Sequence, residues 1–420
     1  MDREIVDVAI IGAGVAGLGA ALKARETGRT AVVFESRNSA GGLLDNFCID
    51  GFRFDHAVHL SFASEPKVRE IFDATPYLTH PAESFCFDSD RWLKHPVQNN
   101  LYPLPVDERV RLINSYVERP ADAGSNYEGW LRHQYGDRIA ERYPIRYTEK
   151  YWGTPASALS TNWIGQRMRR SELSEVLFGA MTADTPNTYY TKEMRYPREG
   201  GYKAFIQPLI DASDIRLDHR VVRIDPEAKA LYFANGKVVS YNRLVTTLPL
   251  PVLVEIIDGI PADIHAAGQS LKATSIDLVS VALNRQVVKD LWFYIYDDDI
   301  LASRAYSPSV KSPDNAPAGC SSLQFEIYSR GDQSRFAREE LLENTRRALL
   351  KMKVCEEEDI RFMDHRFLPY GNVIFDLGME ERRAAVLSWL KTRQLASCGR
   401  FGEWDYLWSN QSLLSGYNSF

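Results

Sequence analysis

Three glycines near the start of the chain have the spacing of a phosphate-binding loop. Gly12, Gly14 and Gly17 follow a short apolar run and precede an alanine-rich segment of good helix propensity. In such a unit the first glycine permits a sharp turn, the second lets the backbone approach a pyrophosphate, and the third lets the helix pack on the strand. Glu35 ends the next β-branched run, where a carboxylate can accept hydrogen bonds from ribose hydroxyls. The pattern predicts a dinucleotide site that comprises Gly12, Ala13, Gly14, Val15, Ala16, Gly17, Glu35 and Ser36.

A second group of residues combines aromatic rings with arginines. Residues 147–153 read Tyr-Thr-Glu-Lys-Tyr-Trp-Gly, and Arg167, Arg169 and Arg170 follow. An aromatic ring can stack on a nucleobase, and a guanidinium can hold a phosphate through two parallel hydrogen bonds. A nucleotide site is one interpretation. The other is a packed aromatic loop beside a solvated basic helix face, and composition alone gives the two equal weight.

The segment after Glu35 distinguishes between dinucleotides. Arg37 is followed by the pair Gly41 and Gly42, for which a nicotinamide cofactor has no evident need. A larger cofactor needs the chain to pass close beside its ribityl and flavin portion. The segment resembles the FAD-binding opening of the glutathione-reductase-like flavoproteins, which include amine oxidases, protoporphyrinogen oxidase, phytoene desaturases and UDP-galactopyranose mutase. The alternative is that Gly41 and Gly42 form an ordinary turn.

Three blocks of the chain resemble UDP-galactopyranose mutase and occur in the same order. Residues 147–160 carry Y-T-x-K-x-W-G and then L-S, residues 187–202 form an aromatic and glycine-rich run, and residues 399–409 carry G-R and a tyrosine before a helix. The resemblance spans nearly the whole chain. It identifies the chain as similar to the mutase branch of the flavoproteins, and it implies FAD as the cofactor.

The resemblance also implies roles for individual residues. On the substrate side these are Tyr147, Trp152, Arg170 with Arg167 as the competing position, Tyr189 or Tyr190, Arg304, Tyr328, Tyr370, Arg400 and Tyr406. On the cofactor side they are Arg37, Gly41, Gly42, Leu43, Val58, His59, Val222, Arg400, Leu407, Trp408 and Ser409. The candidates for catalysis are Arg170, Arg304, Arg400 and His59. Without the resemblance, the residues favour an exposed loop arginine for Arg304. They leave His59 equally an ordinary satisfied histidine, and Tyr189 and Tyr190 equally simple strand aromatics.

The resemblance implies a sugar-ring isomerisation without net redox change. Reduced FAD attacks the anomeric carbon of a nucleotide sugar through N5, and the sugar ring opens and recloses with the other ring size. We expect an external reductant such as NADPH or NADH, and a role in cell-surface polysaccharide biosynthesis. The chain departs from the mutase at Phe62, which replaces a second histidine, and in residues 187–202, which lack the family's aspartate and glutamine. These departures permit a substrate other than UDP-galactose.

A FAD-dependent oxidase or desaturase of the amine oxidase or protoporphyrinogen oxidase type is the alternative function. The arginine candidates oppose it, and the chain lacks the G-D ending that many amine-oxidase relatives carry. A flavin-binding protein with a structural role is a third hypothesis, which turnover of any nucleotide sugar would exclude.

The elements that must position these residues predict an α/β fold whose second part is α+β. We predict a discontinuous, Rossmann-like FAD-binding domain from residues 1–80, 200–260 and 385–420, because the strand before Pro249 returns to the nucleotide sheet. Residues 81–199 are predicted as a helical substrate insertion. Residues 261–384 are predicted as an antiparallel, sheet-rich domain.

Composition narrows the function classes. The 420 residues are 45% hydrophobic and 25% charged, as expected for a globular chain of two or three domains. The net charge of −6 argues against nucleic acid as a partner. We expect a small-molecule substrate, no integral membrane segment and a monomer or homodimer.

The distribution of cysteines and of other possible metal ligands predicts a protein without a metal site that resides in a reducing compartment. The five cysteines are scattered without C-x-x-C spacing, so we expect free thiols. Asp55, His56 and His59 are close in sequence, but their spacing does not suit a zinc site. With no secretory signal before the first strand, we expect a cytoplasmic protein.

Overall fold

The glycine-rich opening forms the centre of a mainly parallel sheet. The computed structural model describes residues 4–165, 168, 170–187 and 193–420. Strand Glu4–Ile11 pairs in parallel with Ala31–Phe34 on one side and with the end of Val238–Thr246 on the other. Its residues 8–11 are buried, because a strand between two parallel neighbours has both faces covered.

The strands of the described chain follow one another as β1 (Glu4–Ile11), β2 (Ala31–Phe34), β3 (Asn46–Ile49), β4 (Phe52–Asp55), β5 (Tyr77–His80), β6 (Phe85–Asp88), β7 (Arg91–Lys94), β8 (Met194–Pro197), β9 (Asp214–Arg216), β10 (Val221–Asp225), β11 (Ala230–Phe233), β12 (Val238–Thr246), β13 (Thr274–Leu283), β14 (Trp292–Ile295), β15 (Arg304–Tyr306), β16 (Ser321–Arg330), β17 (Ile360–Leu368) and β18 (Ala396–Ser397).

The α-helices are α1 (Val15–Glu26), α2 (Pro66–Phe72), α3 (Val106–Val117), α4 (Tyr127–Tyr135), α5 (Asp137–Ala140), α6 (Arg146–Trp152), α7 (Leu173–Met181), α8 (Gln207–Asp211), α9 (Leu250–Ile256), α10 (Ala262–Gln269), α11 (Pro308–Lys311), α12 (Arg338–Lys351), α13 (Met379–Thr392) and α14 (Ser409–Tyr417).

The first sheet has the order β10-β11-β12-β1-β2-β9, and β18 pairs with β12. Its parallel strands come from the two ends and the middle of the chain, since β12 and β18 pair in parallel near residue 246. The hairpin β11–β12 turns at Asn235 and Gly236, as the Asn-Gly pair predicts. One Rossmann-like sheet is therefore built from segments that are far apart in the sequence.

The second sheet has the order β17-β13-β16-β15-β14-β6-β7. Strands β13 and β16 are buried along almost their whole length. The hairpin β6–β7 lies before the helical region in sequence, yet β6 pairs in parallel with β14. The predicted α/β fold with a Rossmann-like sheet and a sheet-rich second part is confirmed. The domain boundaries at residues 81, 200, 261 and 385 stay predictions.

Helices α3 to α7 lie between the two sheets in the sequence. Between α5 and α6 the chain forms a π-helical segment, Glu141–Ile145, which contains Pro144. Proline removes a backbone donor and clashes with the preceding turn, so a change of helical pitch there is expected. This segment sets the direction of α6, which carries the aromatic residues 147, 151 and 152.

Candidate active site

The three glycines of the opening form an open cradle at the start of α1. Gly12 has φ +99°, and a Cβ on it would lie 2.2 Å from Oγ1 of Thr247. A Cβ on Gly17 would lie 1.9 Å from the carbonyl oxygen of Gly12. A Cβ on Gly14 would meet no atom within 4 Å. Packing therefore requires glycine at positions 12 and 17, whereas Gly14 faces the space where a phosphate can approach the first turn of α1.

Glu35 lies at the end of β2 and is tied to the cradle. Its exposed fraction is 7%, and its Oε2 accepts a hydrogen bond from the backbone N–H of Ala13 at 2.8 Å. Its Oε1 accepts one from the N–H of Arg37 at 2.9 Å and one from the Ser36 hydroxyl at 3.2 Å. The carboxylate therefore has a fixed position beside the cradle, as a ribose-binding acid needs.

The second glycine pair approaches the cradle closely. The N–H of Gly41 donates to the carbonyl oxygen of Ala13 at 2.9 Å. Gly42 has φ +60°, and a Cβ on it would lie 3.1 Å from the Cα of Gly14. A side chain at position 42 would crowd the cradle, and Gly41 and Gly42 both line the cavity that opens beside it.

One cavity of about 1030 Å³ extends from this cradle to the second sheet. Many of the sequence-predicted residues line it: Gly12, Gly14, Val15, Ala16, Glu35, Ser36, Arg37, Gly41, Gly42, Leu43, Val58, His59, Val222, Arg304, Tyr328, Tyr370, Arg400, Tyr406, Leu407, Trp408 and Ser409. Gly399, the neighbour of Arg400, packs on Ala16 beside the cradle, whereas Arg304 lies in β15 of the second sheet. A dinucleotide and a second ligand can therefore share one continuous space.

His59 is held as a neutral imidazole in the wall of this cavity. Its Nε2 lies 2.8 Å from the carbonyl oxygen of Leu43 and 3.0 Å from that of His56, which assigns the proton to Nε2. Burial lowers the pKa of His59 to about 4. Its ring packs 5.2 Å from that of Tyr202. At neutral pH His59 is an uncharged imidazole in the cavity wall and has no positive charge to offer a phosphate.

The C-terminal segment contributes a helix N-terminus to the same cavity. Helix α14 begins at Ser409, directly after Trp408, and both residues line the cavity. The Ser409 hydroxyl lies 2.7 Å from that of Tyr202. A helix N-terminus stabilises nearby negative charge by about 0.3–1 kcal/mol, and by more where water is excluded.

Arg304 is engaged in a buried polar network. Its Nε forms an ion pair with Oε2 of Glu326, and its Nη2 donates to the Tyr328 hydroxyl at 3.0 Å. The other oxygen of Glu326 accepts a hydrogen bond from the N–H of Val58 at 2.7 Å. Strand β16 supplies both Glu326 and Tyr328, on the same face of the strand. The positive charge of Arg304 is thus largely offset by a buried carboxylate.

Arg400 is in a different electrostatic situation. Its Nη1 lies 3.5 Å from the carbonyl oxygen of Gly371, and its guanidinium carbon lies 4.7 Å from the ring centre of Tyr406. Within the described ranges, no carboxylate forms an ion pair with Arg400, and its buried Nε has no hydrogen-bond partner. A partly buried cation without a counterion attracts an anionic ligand.

Tyrosines form the wall beside Arg400. The hydroxyls of Tyr151 and Tyr406 are 3.3 Å apart, and the ring of Tyr151 lies 5.5 Å from that of Tyr147. Tyr151 lines the cavity, whereas the half-buried Tyr147 and the buried Trp152 are not among its lining residues. Trp152 follows Tyr151 directly in α6 and so points about 100° away from it, whereas Tyr147 lies on the same face as Tyr151 but one turn earlier.

The prediction that Arg170 holds phosphate in this site disagrees with the structure. Its Nε donates to Oε1 of Gln134 at 3.1 Å, and its Nη2 lies 2.6 Å from Nε2 of His133, both next to the end of α4. Arg170 thus packs on α4 and is not among the residues that line the cavity. Arg167, Tyr189 and Tyr190 lie outside the described residues.

The structure brings to the cavity residues that no motif indicated. Asn372 and Thr247 line it, as do the aromatic residues Tyr151, Trp292, Tyr294 and Tyr306. Glu326 is fully buried behind Arg304. An acid between the apolar residues Phe325 and Ile327 of β16 was a usable signal for Glu326. Nothing in the local sequence marks Asn372, because its position depends on the pairing of a loop with β13.

Neither a grouped set of metal ligands nor a membrane-spanning helix is present in the described part of the chain. Within residues 4–165, 168, 170–187 and 193–420, no three His, Cys, Asp or Glu side chains are grouped to hold a metal ion. In the same part of the chain, no helix has the length and apolar character needed to cross a bilayer.

Family models match most of the chain. The model described as flavin containing amine oxidoreductase matches residues 118–418. The model described as NAD(P)-binding Rossmann-like domain matches residues 10–75, which include the cradle and Glu35. Together they span both ends of the cavity.

Two plant proteins are similar to the chain over a short segment. The mitochondrial protoporphyrinogen oxidase of Nicotiana tabacum is 40% identical over 67 residues. The chloroplastic/mitochondrial protoporphyrinogen oxidase 2 of Arabidopsis thaliana is 36% identical over 66 residues. Each match covers 16% of this chain and only 13% of the plant protein.

Solved structures share the fold over nearly the full length. A crystal structure of reduced UDP-galactopyranose mutase has a TM-score of 0.92 at 24% identity, and the match covers 99% of this chain and 94% of that one. A putative protoporphyrinogen oxidase from Exiguobacterium sp. 255-15 has a TM-score of 0.74 at 16% identity, with 99% and 98% covered. Cyclohexylamine oxidase from Brevibacterium oxydans IH-35A has 0.71 at 14%, with 99% and 97% covered. The resemblance to mutase-like flavoproteins is confirmed for the fold.

Proposed function

The chain belongs to the family of flavin-containing amine oxidoreductases, and we propose that within it the protein is a FAD-dependent mutase of nucleotide sugars. The proposed reaction interconverts the pyranose and furanose forms of a sugar attached to a nucleoside diphosphate. The observation that carries the proposal is the electrostatic state of Arg400. It is a cavity-lining guanidinium without a carboxylate partner among the described residues, and it lies on the ring of Tyr406, whose hydroxyl is 3.3 Å from that of Tyr151.

The proposed cofactor fits the cavity. The open space beside Gly14, the fixed carboxylate of Glu35 and the N-terminus of α14 supply the three contacts that pyrophosphate, ribose and flavin need. Val222 lines the cavity at the end where the adenine lies in this proposal. When bound and reduced, FAD supplies a nucleophilic nitrogen and the chemistry of ring opening without net oxidation.

The residues of the chain have binding and positioning roles in this proposal. Arg400 and the Tyr406 hydroxyl hold the diphosphate while it is separated from the sugar. Each charge-assisted hydrogen bond contributes about 1.5–3 kcal/mol. Arg304 holds phosphate more weakly, because it already pairs with Glu326. His59 stays neutral and provides a fixed wall.

An oxidase acting on amines is the second candidate. The family favours it, and so do the aromatic side chains of Trp292, Tyr294 and Tyr306 in the cavity wall. The charges favour the mutase. Arg400 repels a protonated amine, and Glu326 is occupied by Arg304, Tyr328 and Val58.

Anaerobic turnover tests the proposal. We expect the FAD-loaded, dithionite-reduced protein to convert UDP-galactopyranose, or another nucleotide sugar, to a furanose product that chromatography separates. Arg400→Ala should keep FAD bound and lose most of this activity. Release of hydrogen peroxide from an amine, with no isomerisation of any nucleotide sugar, contradicts the proposal. The same proposal includes an external reductant of the protein such as NADPH or NADH, a cytoplasmic location and a role in cell-surface polysaccharide biosynthesis.

A further inference from the structure

The wall of the cavity next to Arg400 contains an amide donor with nothing to bind. Asn372 lines the cavity with an exposed fraction of 3%, and its Nδ2 has no hydrogen-bond partner in the described part of the chain. Its Oδ1 lies 3.5 Å from the Tyr151 hydroxyl, at the limit of a hydrogen bond. A buried N–H group without an acceptor is costly, and native proteins rarely keep one without a reason.

The backbone fixes Asn372 in this position. Its N–H donates to Oγ1 of Thr274 at 3.0 Å, and its carbonyl oxygen accepts from the N–H of Thr274 at 2.8 Å. The neighbouring Gly371 donates to the carbonyl oxygen of Thr274 at 2.6 Å, and its own carbonyl lies 3.5 Å from Nη1 of Arg400. The same short loop thus positions the amide and contacts the arginine.

Tyr151 connects this amide to the residues already placed in the site. Its hydroxyl lies 3.3 Å from that of Tyr406, and its ring faces the guanidinium of Arg304 at 5.2 Å. Tyr151, Tyr406, Asn372 and Arg400 all line one end of the cavity. These groups offer several hydrogen-bond donors and no carboxylate, so a ligand there must supply acceptor oxygens.

The charges show why additional donors are needed. Arg304 is paired with Glu326, and Arg170 lies on α4 outside the cavity. Arg400 is then the one cavity-lining arginine of the three candidates that has no carboxylate partner among the described residues. A diphosphate presents more than one negative oxygen. Neutral donors can satisfy those oxygens without burying further charge.

We propose that Asn372 and Tyr151 are ligand-binding residues that donate hydrogen bonds to the diphosphate of the nucleotide ligand, beside Arg400 and Tyr406. This inference rests on the proposed function for the identity of its ligand. It adds a specificity that neither the motifs nor the arginines provide. An amide and a phenol select the diphosphate, where Arg170 was expected but lies on α4 instead.

Binding of UDP to the FAD-loaded protein tests the inference by calorimetry. Asn372→Leu keeps the side-chain volume and removes the donor, Asn372→Asp replaces the donor by a negative charge, and Tyr151→Phe removes one hydroxyl. We expect each substitution to weaken UDP binding by roughly threefold to a hundredfold. Asn372→Asp should have the lowest affinity for UDP, because its negative charge repels the diphosphate. Binding of uridine, the FAD content and the melting temperature should stay close to the wild type.

Asn284→Asp is the matched control, because Asn284 is exposed at the end of β13 and the substitution adds the same charge away from the cavity. It should leave UDP binding unchanged. If Asn372→Leu does not retain FAD, the Tyr151→Phe result decides the question alone, since it keeps the aromatic ring in place.

Several outcomes overturn the inference. One is wild-type affinity for UDP in both Asn372→Leu and Tyr151→Phe; another is an equal loss of uridine and UDP binding. A wild-type protein that binds neither UDP nor inorganic pyrophosphate also overturns it. The proposed function fails separately: a wild-type protein that binds UDP through Asn372 but forms no furanose supports the inference and contradicts the mutase. Furanose formation by the wild type, with unaltered UDP affinity in the variants, supports the mutase function and contradicts the inference.

Discussion

Two arginines of the cavity differ in what surrounds them, and this difference sets their roles. Arg304 shares Glu326 with Tyr328 and with the N–H of Val58. Removal of either partner of this pair would leave a buried charge, which costs about 3–5 kcal/mol. Arg400 has no such partner among the described residues and is available to a ligand. The residue type is the same, but the neighbouring groups determine which guanidinium is available to an anionic ligand.

Glycines of the cradle offer a first prediction at the scale of single residues. Gly14→Ala should leave the free energy of unfolding of the FAD-free protein within about 0.5 kcal/mol of the wild type, because nothing lies within 4 Å of the added Cβ. It should weaken FAD binding by about 1–3 kcal/mol, because the methyl group occupies the pyrophosphate position. Urea unfolding and FAD titration measure the two quantities.

Gly12→Ala is the contrasting variant. Its positive φ and the 2.2 Å approach to Thr247 should destabilise the protein itself by about 1–3 kcal/mol. Equal destabilisation of both variants, with equal FAD affinity, would contradict the assignment of Gly14 to the cofactor.

The pH dependence of stability gives a prediction for His59. Its pKa is about 4 in the folded protein and about 6.5 in the unfolded chain. The stabilisation is therefore complete above pH 6.5 and is lost as the pH falls toward 4, because only the unfolded chain takes up the proton. Between pH 7 and pH 5 we expect a loss of about 2 kcal/mol from this group.

His59→Gln cannot titrate and should show a flatter dependence of the unfolding free energy on pH over this interval. Urea unfolding at pH 7, 6 and 5 measures both proteins. Parallel curves would show that His59 does not contribute. Burial also lowers the pKa of His95 to about 4 and lowers the pKa values of His56 and His80. The wild-type curve contains all of these groups, so the difference between the two proteins is the informative quantity.

At the scale of elements, two helices meet through glycines and bring their N-termini to the cavity. A Cβ on Gly19 of α1 would lie 2.2 Å from the carbonyl oxygen of Leu413 in α14. A Cβ on Gly416 of α14 would lie 1.8 Å from the carbonyl oxygen of Ala16 in α1. The backbones thus touch directly, and the position of one helix N-terminus fixes the other.

Gly416→Ala tests this contact between α1 and α14. The added methyl group must push the helices apart, which should cost about 1–3 kcal/mol of stability and weaken FAD binding as well. Asn418→Ala, at an exposed position just after α14, is the control and should change neither quantity appreciably. Unaltered stability and FAD affinity in Gly416→Ala would show that α14 can shift without consequence.

At the scale of the whole molecule, a buried ion pair joins segments that are far apart in sequence. Asp55 at the end of β4 lies 3.3 Å from Nζ of Lys311 in α11, and both are fully buried. The other contacts of Asp55 are the Tyr196 hydroxyl at 2.7 Å and the N–H of Tyr202 at 3.1 Å. Tyr202 in turn supports His59 and Ser409. The pair therefore connects the second sheet to the cofactor end of the cavity.

Lys311→Met should lower the free energy of unfolding by about 3–5 kcal/mol, because Asp55 would keep a buried and unpaired charge. The double variant Lys311→Met with Asp55→Asn should recover a large part of that loss, since the remaining side chain is neutral. Urea unfolding of the FAD-loaded protein measures both. A double variant as unstable as the sum of its single substitutions would show that the two residues are not coupled.

The sequence by itself determined the parts of the protein that depend on local spacing. Gly12, Gly14, Gly17 and Glu35 define a strand, a turn, a helix and an acid within one short segment, so each contact follows from its neighbours along the chain. The apolar runs similarly predicted the two sheets, and the Asn-Gly pair predicted a hairpin. For such features the backbone conformation of a few residues contains the whole answer.

Only the tertiary structure decided which of the polar residues meet. Arg170 has the spacing of a phosphate ligand, yet it packs on α4. Asn372 lies in no motif, yet the pairing of its loop with Thr274 brings it beside Arg400. The positive charge of Arg304 is offset by Glu326, which lies in another strand. A side chain's partner and its effective charge result from long-range packing, and no local pattern of residue types contains that information.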